Sequence, residues 1–165
     1  MKKILLIALI SISLISCTRN ANKAEDHADQ STEVHAAKVD YAGSYATSDY
    51  QNRDKGYDWV GVTVVNLTDS TIQVSVRSRA DIKKPTCTFD AEAHKISENV
   101  YRSVINGKAI QYSFKENKVT IGVQSEEGEG LLYYYCSGGA SLGDTYTKIE
   151  GQLDDNQVDK NSRPL

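Results

Sequence analysis

Few side chains in this sequence could carry out a reaction. The candidates are its three cysteines and three histidines, at Cys17, Cys87, Cys136, His27, His35 and His94. His94 is the one histidine outside the polar stretch near the N-terminus. Acid–base and nucleophilic catalysis usually need a histidine placed beside a nucleophile or a carboxylate, and the sequence has no such motif, no nucleophile elbow and no metal-ligand spacing. We therefore predict that the protein is not an enzyme and needs no metal or cofactor.

The N-terminus is typical of an exported protein. Lys2 and Lys3 precede an apolar run over residues 4–15, which is short for a transmembrane helix and has the basic-then-apolar order of a secretory signal. The run ends in "LISC" at residues 14–17, which resembles a bacterial lipobox. The resemblance implies that residues 1–16 are a signal peptide and that Cys17 carries the lipid. Thr18 follows in place of an aspartate, and by the same resemblance this favours the outer membrane of the bacterial cell envelope. An ordinary signal peptide followed by an accidental cysteine is the alternative.

The two other cysteines predict a disulfide. With Cys17 lipidated, Cys87 and Cys136 remain as an even pair in an oxidising compartment. Their bridge would close a loop of about 50 residues and stabilise the fold by roughly 4 kcal/mol.

Charge and composition divide the chain and exclude one class of partner. The chain has 22 acidic and 19 basic residues, and loss of Lys2 and Lys3 with the signal would make it more acidic, which argues against nucleic-acid binding. Residues 17–38 are polar and predict a flexible tether behind the lipidated cysteine. Residues 39–150 form the predicted β domain, and residues 151–165 a disordered tail.

Short alternating runs predict antiparallel strands throughout residues 39–150. The segments are YAGSYAT, VGVTVV, IQVSVR, CTFDAEAHK, YRSVI, KAIQYSF, VTIGVQ, LLYYYC and TYTKI. Asn106 and Gly107 form a strong hairpin signal between two of them. We predict an all-β fold in which an antiparallel up-and-down meander closes into a small barrel or a two-sheet sandwich, with one disulfide. A short helix over "DAEAHKISE" is an alternative for that segment.

The tyrosines in "LLYYYC" predict a partner-binding surface. On an alternating strand Tyr134 would point inward with Cys136 and Phe89, whereas Tyr133 and Tyr135 would face outward, beside Tyr146 and Trp59. Such rings either stiffen a sheet or anchor a partner. The glutamates of "SEEGEG" would attract a cationic partner. The candidate binding residues are Tyr133, Tyr135, Ser137, Gly138, Tyr146, Lys148, Glu126, Glu127 and Glu129.

Three motifs carry a family resemblance: "AGSY", "PTCTFDAEA" and "YYYCSGGASLGDTYTK". Together they resemble a type of small bacterial envelope lipoprotein with a calycin-like β domain. The segment "CSGGASLGDTYTK" is also similar to the membrane-bound inhibitors of c-type lysozyme, which are lipid-anchored, disulfide-linked barrels that insert a loop serine and a strand lysine into the lysozyme cleft. The resemblance implies that Ser137 and Lys148 are the matching positions, although the tryptophan that the family carries near its lysine is absent.

Three functions remain open at the level of sequence. The first is an envelope-anchored lipoprotein that recognises or inhibits a cell-wall-degrading enzyme such as lysozyme. The second is a calycin-like carrier that holds a small apolar ligand among Val62, Ile110, Phe114 and Ile121, and the third is a structural envelope component. A cavity of several hundred Å³ inside the barrel would distinguish the carrier.

Overall fold

The computed structural model of the chain describes residues 39–79 and 86–154. The predicted signal peptide, the lipidation of Cys17, the tether and the last part of the tail, residues 155–165, lie outside these residues and stay predictions.

The described residues form nine β-strands and three short helical segments. The strands are β1 (Gly43–Ala46), β2 (Val60–Asn66), β3 (Thr71–Ser78), β4 (Thr86–Ser97), β5 (Val100–Ile105), β6 (Lys108–Lys115), β7 (Lys118–Val123), β8 (Cys136–Ser137) and β9 (Thr145–Lys148). Two segments are 3₁₀ helices, Ser48–Lys55 and Glu126–Gly128, and the third is the α-helix α1 (Glu129–Tyr134). The segment "DAEAHKISE" lies in β4, so its helical alternative is wrong.

Eight of the strands close into an antiparallel barrel. Strands β1 to β7 pair with their neighbours in chain order, and β9 pairs with both β7 and β1. The short β8 pairs only with the start of β4 and stands outside the ring. The predicted up-and-down meander is thus confirmed, in its barrel form rather than as a sandwich.

Tight turns connect the hairpins where the sequence requires them. Asn106 (φ 51°) and Gly107 (φ 77°) lie in the left-handed region between the paired residues Ile105 and Lys108. These two residue types tolerate positive φ, so the turn is compatible with the twist of the flanking strands.

Alternate residues of every long strand fill the barrel interior. The largest fully buried side chains are Tyr112, Tyr146, Phe89, Phe114, Ile72, Ile110, Leu142, Val62, Val64, Val74, Val76 and Val119. Their outward neighbours are mostly polar, as expected for strands with one buried face. At the end of the barrel where the chain enters, the ring of Tyr41 stacks on Phe114 with centroids 4.4 Å apart. An aromatic plug therefore covers that end.

A smaller apolar cluster lies on the outside of the barrel. Its buried members are Ala46, Tyr50, Trp59 and Leu153. Trp59 is therefore covered, and its predicted outward exposure is wrong. Leu153 belongs to the segment that the sequence assigned to the tail, yet it packs over Gly61 with its side chain buried. Ordered structure thus continues at least to Leu153.

Candidate functional site

The segment "LLYYYC" is largely helical, so its prediction as a strand is wrong. The 3₁₀ helix Glu126–Gly128 leads directly into α1, which covers four of the six residues of the segment. An uninterrupted apolar run does not distinguish a buried strand from a helix. The ring of eight strands closes without this segment, and only its last residue, Cys136, pairs with a strand, as part of β8.

We refer to residues 126–142 as the cap, because they lie across the end of the barrel opposite the Tyr41 plug. Two leucines hold the cap in place: Leu131 and Leu142 are both buried in the barrel core. The backbone N–H of Leu142 donates to the carbonyl of Leu132 at 2.8 Å, which joins the two arms of the cap. The hydroxyl of Tyr146 donates to the carbonyl of Leu142, also at 2.8 Å. The cap is therefore fixed by apolar burial and by hydrogen bonds.

The predicted disulfide is confirmed and attaches the cap covalently to the barrel. Cys87 of β4 and Cys136 of β8 are bonded and lie directly opposite each other in the strand pairing. On either side, Thr88 N–H donates to the carbonyl of Tyr135, and the hydroxyls of Thr86 and Ser137 are 2.8 Å apart. The bridge and the short ladder fix the C-terminal end of α1.

The helix changes which tyrosines face outward. Tyr133 is 58% exposed, as predicted, and Tyr134 is 72% exposed although the strand prediction placed it inside. Tyr135 packs against the core instead, with its ring edge-to-face on Phe89 at 4.8 Å. Burial raises the pKa of the Tyr135 hydroxyl above its ordinary value. The predicted outward position of Tyr135 is therefore wrong, and the exposed pair is Tyr133 and Tyr134.

The glutamates lie on the same cap as the exposed rings. Glu126, Glu127 and Glu129 are all exposed in the two short helical segments that precede the tyrosines. Acidic side chains are favourable in the first turn of a helix because they complement its dipole. The cap therefore combines a negative charge with two exposed aromatic rings.

Of the remaining predicted site residues, Ser137 and Gly138 belong to the cap, whereas Tyr146 and Lys148 lie on β9. Tyr146 is fully buried, so its predicted contact with a partner is wrong. Gly138 is exposed with a φ of 68°, in the turn that follows β8. Ser137 pairs with β4, whereas Lys148 lies on β9, and three strands separate β4 from β9 in either direction around the ring. The structure therefore places Ser137 and Lys148 on opposite sides of the barrel.

The side chain of Lys148 makes a cation–π contact with the ring of Tyr45. Its ammonium lies 5.7 Å from the centroid of the Tyr45 ring, and a Cβ at Gly43 would come within 2.9 Å of its Cε. Gly43 has a φ of 135°. Glycine at this position therefore leaves room for the lysine stem over the ring.

Among the grooves lined by described residues, one lies beside β1 and β2 and another at the rim next to the cap. The larger, about 360 Å³, runs between the outer faces of β1 and β2 and residues 151–153. The smaller, about 180 Å³, lies at the rim between the Asn106–Gly107 turn and the cap. The four residues of the carrier hypothesis, Val62, Ile110, Phe114 and Ile121, are at most 2% exposed and belong to a single core cluster.

Residues 39–79 and 86–154 contain no group of three or more His, Cys, Asp or Glu side chains that could hold a metal ion. In the same part of the chain, no helix has the length and apolar character needed to cross a membrane.

The sequence analysis missed Tyr134 and Leu142. Leu142 follows two glycines and carries no local pattern, so only the tertiary fold reveals its burial. Tyr134 had a usable signal: three glutamates just ahead of an apolar run are typical of a helix start. If residues 129–134 are interpreted as a helix, Tyr134 no longer has to share the inward face that a strand gives it with Cys136.

Searches against known protein families, curated proteins and solved structures found no match to this chain. A functional assignment therefore has to come from the chain's own residues.

Proposed function

We propose that this chain is a lipid-anchored protein of the bacterial outer membrane that acts by binding another protein through its cap. The observation that carries the proposal is the exposure of Tyr133 and Tyr134, 58% and 72%, on a helix that buries Leu131 in the core and is followed directly by the disulfide. The anchor follows from the lipobox-like "LISC" sequence and the basic-apolar segment before it.

A fixed helix with exposed tyrosines suits protein recognition. Tyr has a large apolar ring and few rotatable bonds, so ordering it in a complex costs little entropy. The disulfide and the buried leucines already immobilise the backbone that carries the rings. Preorganisation of this kind increases affinity because less freedom is lost on binding.

The charge of the cap selects the type of partner. Glu126, Glu127 and Glu129 would attract a cationic protein and accelerate its association. A wall-degrading enzyme such as a c-type lysozyme is a cationic protein that acts on the bacterial envelope. Recognition or inhibition of such an enzyme is the function that the cap supports best.

The contact surface differs from the one that the family resemblance implies. A loop serine and a strand lysine that enter one cleft must lie side by side, whereas Ser137 and Lys148 lie across the barrel from each other. We therefore assign recognition to the aromatic and acidic residues of the cap.

The test is the binding and inhibition of a c-type lysozyme by the purified protein. We expect the double variant Tyr133→Ala/Tyr134→Ala to weaken binding by about tenfold or more, as for truncation of anchor residues. Tyr57→Ala is the matched control, because Tyr57 is 52% exposed outside the cap. Failure of the unaltered protein to bind or inhibit at roughly micromolar concentrations, which correspond to about −8 kcal/mol, would remove the lysozyme proposal.

The charge contribution has a separate test. Replacing Glu126, Glu127 and Glu129 together by glutamine should slow association and flatten its dependence on salt, because exposed charges act mainly on the on-rate. Glu150→Gln, an exposed glutamate after β9, is the control. Equal salt dependence of the two variants would show that the cap glutamates do not steer the partner.

The carrier alternative gains no specific support from the described residues. Its ligand would need space among side chains that instead form one buried cluster, and the two grooves lie on the outside.

A further inference from the structure

The groove of about 180 Å³ at the rim of the barrel carries one charge of each sign. It lies between the Asn106–Gly107 turn and the 3₁₀ helix Glu126–Gly128. Lys108 lines it from the start of β6, and Glu127 lines it from the helix. The other lining residues are glycine, alanine, serine and glutamine, so these two side chains are the ionisable groups of the lining.

The two charges of this groove are not neutralised within the part of the chain that the structure describes. The side chains of Lys108 and Glu127 form no ion pair with each other or with any other residue of that part. Both residues are exposed. A ligand that carries one negative and one positive charge could therefore bind to both at once, through charge-assisted hydrogen bonds.

The wall that carries Glu127 is held in place by the packing of its helix. The backbone N–H of Gly128 donates to the carbonyl of Ser125 at 3.0 Å, which closes the turn around Glu127. Gly128 is buried, and a Cβ at this position would lie 3.0 Å from the Cβ of Val123 at the end of β7. Glycine therefore allows the turn to pack directly on the strand, and this contact fixes the backbone at Glu127.

The wall that carries Lys108 is a tight hairpin. Lys108 pairs with Ile105 across the Asn106–Gly107 turn, and Ala109 pairs with the next residue of β5. Ala109 has only a methyl side chain, and the glycines of the lining have none. Both walls thus have an ordered backbone and small side chains beside the two charges, an arrangement that lowers the entropy lost when a small ligand binds.

The volume of the groove limits the size of the ligand. A water molecule takes up about 30 Å³ in the liquid, so the groove has space for about six waters. This is less than the roughly 300 Å³ at which sites for drug-sized ligands begin. A small α-amino acid such as alanine matches this size, and its ammonium and carboxylate are attached to the same carbon. Both of its charges therefore fit within one small groove.

We propose that the rim groove binds a small free α-amino acid as its zwitterion, with the carboxylate on Lys108 and the ammonium on Glu127. The terminus of a peptide carries only one of these two charges, so it would neutralise only one wall. The site does not rest on the function proposed for the cap, although Glu127 belongs to both surfaces.

The experiment compares L-alanine with two analogues that each lack one charge, N-acetyl-L-alanine and L-alaninamide. Each is titrated into the purified protein without lysozyme, and binding is followed by amide chemical shifts. We expect alanine to shift the amides of Gly107, Ala109 and Ser125 and to bind about tenfold more tightly than either analogue, the effect of one charge-assisted hydrogen bond. The analogues stand in for the C-terminal and N-terminal ends of a peptide, so they also show whether a peptide end is the ligand.

Two variants assign the charges. Lys108→Gln should remove the preference for alanine over alaninamide, and Glu127→Gln should remove the preference for alanine over N-acetylalanine. Lys115→Gln and Glu116→Gln, at exposed residues beside the β6–β7 turn at the other end of the barrel, are the matched controls and should change neither preference. Binding of either analogue as tightly as alanine, shifts confined to other parts of the barrel, or no shift at roughly 10 mM alanine, tenfold above a Kd of about 1 mM, would each overturn the proposal.

Discussion

At the scale of single residues, the environments of the tyrosines determine what the molecule presents to solvent. Tyr133 and Tyr134 are exposed on the cap, whereas Tyr45, Tyr112 and Tyr146 are at most 2% exposed in the barrel. The buried hydroxyls are all hydrogen-bonded: Tyr45 donates to the carbonyl of Tyr41, Tyr112 to Ser103 and Tyr146 to Leu142. These three tyrosines are thus hydrogen-bonded inside the barrel, whereas the cap leaves two rings available for contacts.

The difference in burial predicts that the ten tyrosines do not all ionise over the same pH range. Burial raises the pKa of Tyr45 to about 12 and raises the pKa values of Tyr112 and Tyr146 still further. In the unfolded chain these groups ionise near 10, so the stability that they contribute is complete below about pH 10. It is lost as the pH rises through about 12 for Tyr45 and at still higher pH for the other two. Absorbance at the tyrosinate band should show that three tyrosines stay protonated at about pH 11 in the native protein.

Tyr45→Phe is the matched variant for that titration, because it removes one late-ionising hydroxyl. Ionisation of all ten tyrosines along one curve near pH 10, while the near-ultraviolet circular dichroism stays native, would contradict the assignment of these three side chains to the core.

Gly61 gives a second prediction at the residue scale. A Cβ at this position would lie 2.5 Å and 2.7 Å from the two methyl carbons of Leu153, so Gly61→Ala should displace that side chain and lower the free energy of unfolding by about 1–2 kcal/mol. Urea denaturation measures the change. In a Leu153→Ala background the same substitution should cost much less, and equal costs in both backgrounds would show that Leu153 does not pack over Gly61.

At the scale of elements, strand patterns were predictable and the cap was not. Alternation along β2, β3, β6 and β7, together with the Asn106–Gly107 turn, indicates a meander from local sequence alone. The segment "LLYYYC" has no alternation of polarity, so its conformation depends on where it lies in the fold. Because the ring closes between β9 and β1, this segment packs across the barrel end as a helix, and Tyr134 and Tyr135 exchange the roles that a strand would give them.

Among the elements of the fold, the cap should gain the most stability from the disulfide. Its cysteines are 49 residues apart, so Cys87→Ala/Cys136→Ala should lower the free energy of unfolding by about 4 kcal/mol in the chain-entropy account. Hydrogen exchange should accelerate first in α1, ahead of β2 and β3. Thr147→Ala, at an exposed position of β9, is the control for a substitution outside the bridge. Stability within about 0.5 kcal/mol of the unaltered protein, the size of an ordinary surface substitution, would mean that the bridge does not hold the cap.

At the scale of the whole molecule, the barrel separates its two ends. The chain enters beside the Tyr41 plug, and the cap closes the opposite end. The buried core cluster supports the cap, because Leu131 and Leu142 of the cap belong to that cluster.

The most direct test is a hydrogen-exchange footprint of the protein with and without a saturating c-type lysozyme. Binding through the cap predicts slower exchange in residues 126–134 and unchanged exchange in the turn at Glu116 and Asn117, which lies at the other end of the barrel. Protection at that turn or around Lys148, with none in residues 126–134, would contradict the claim that the cap is the working surface.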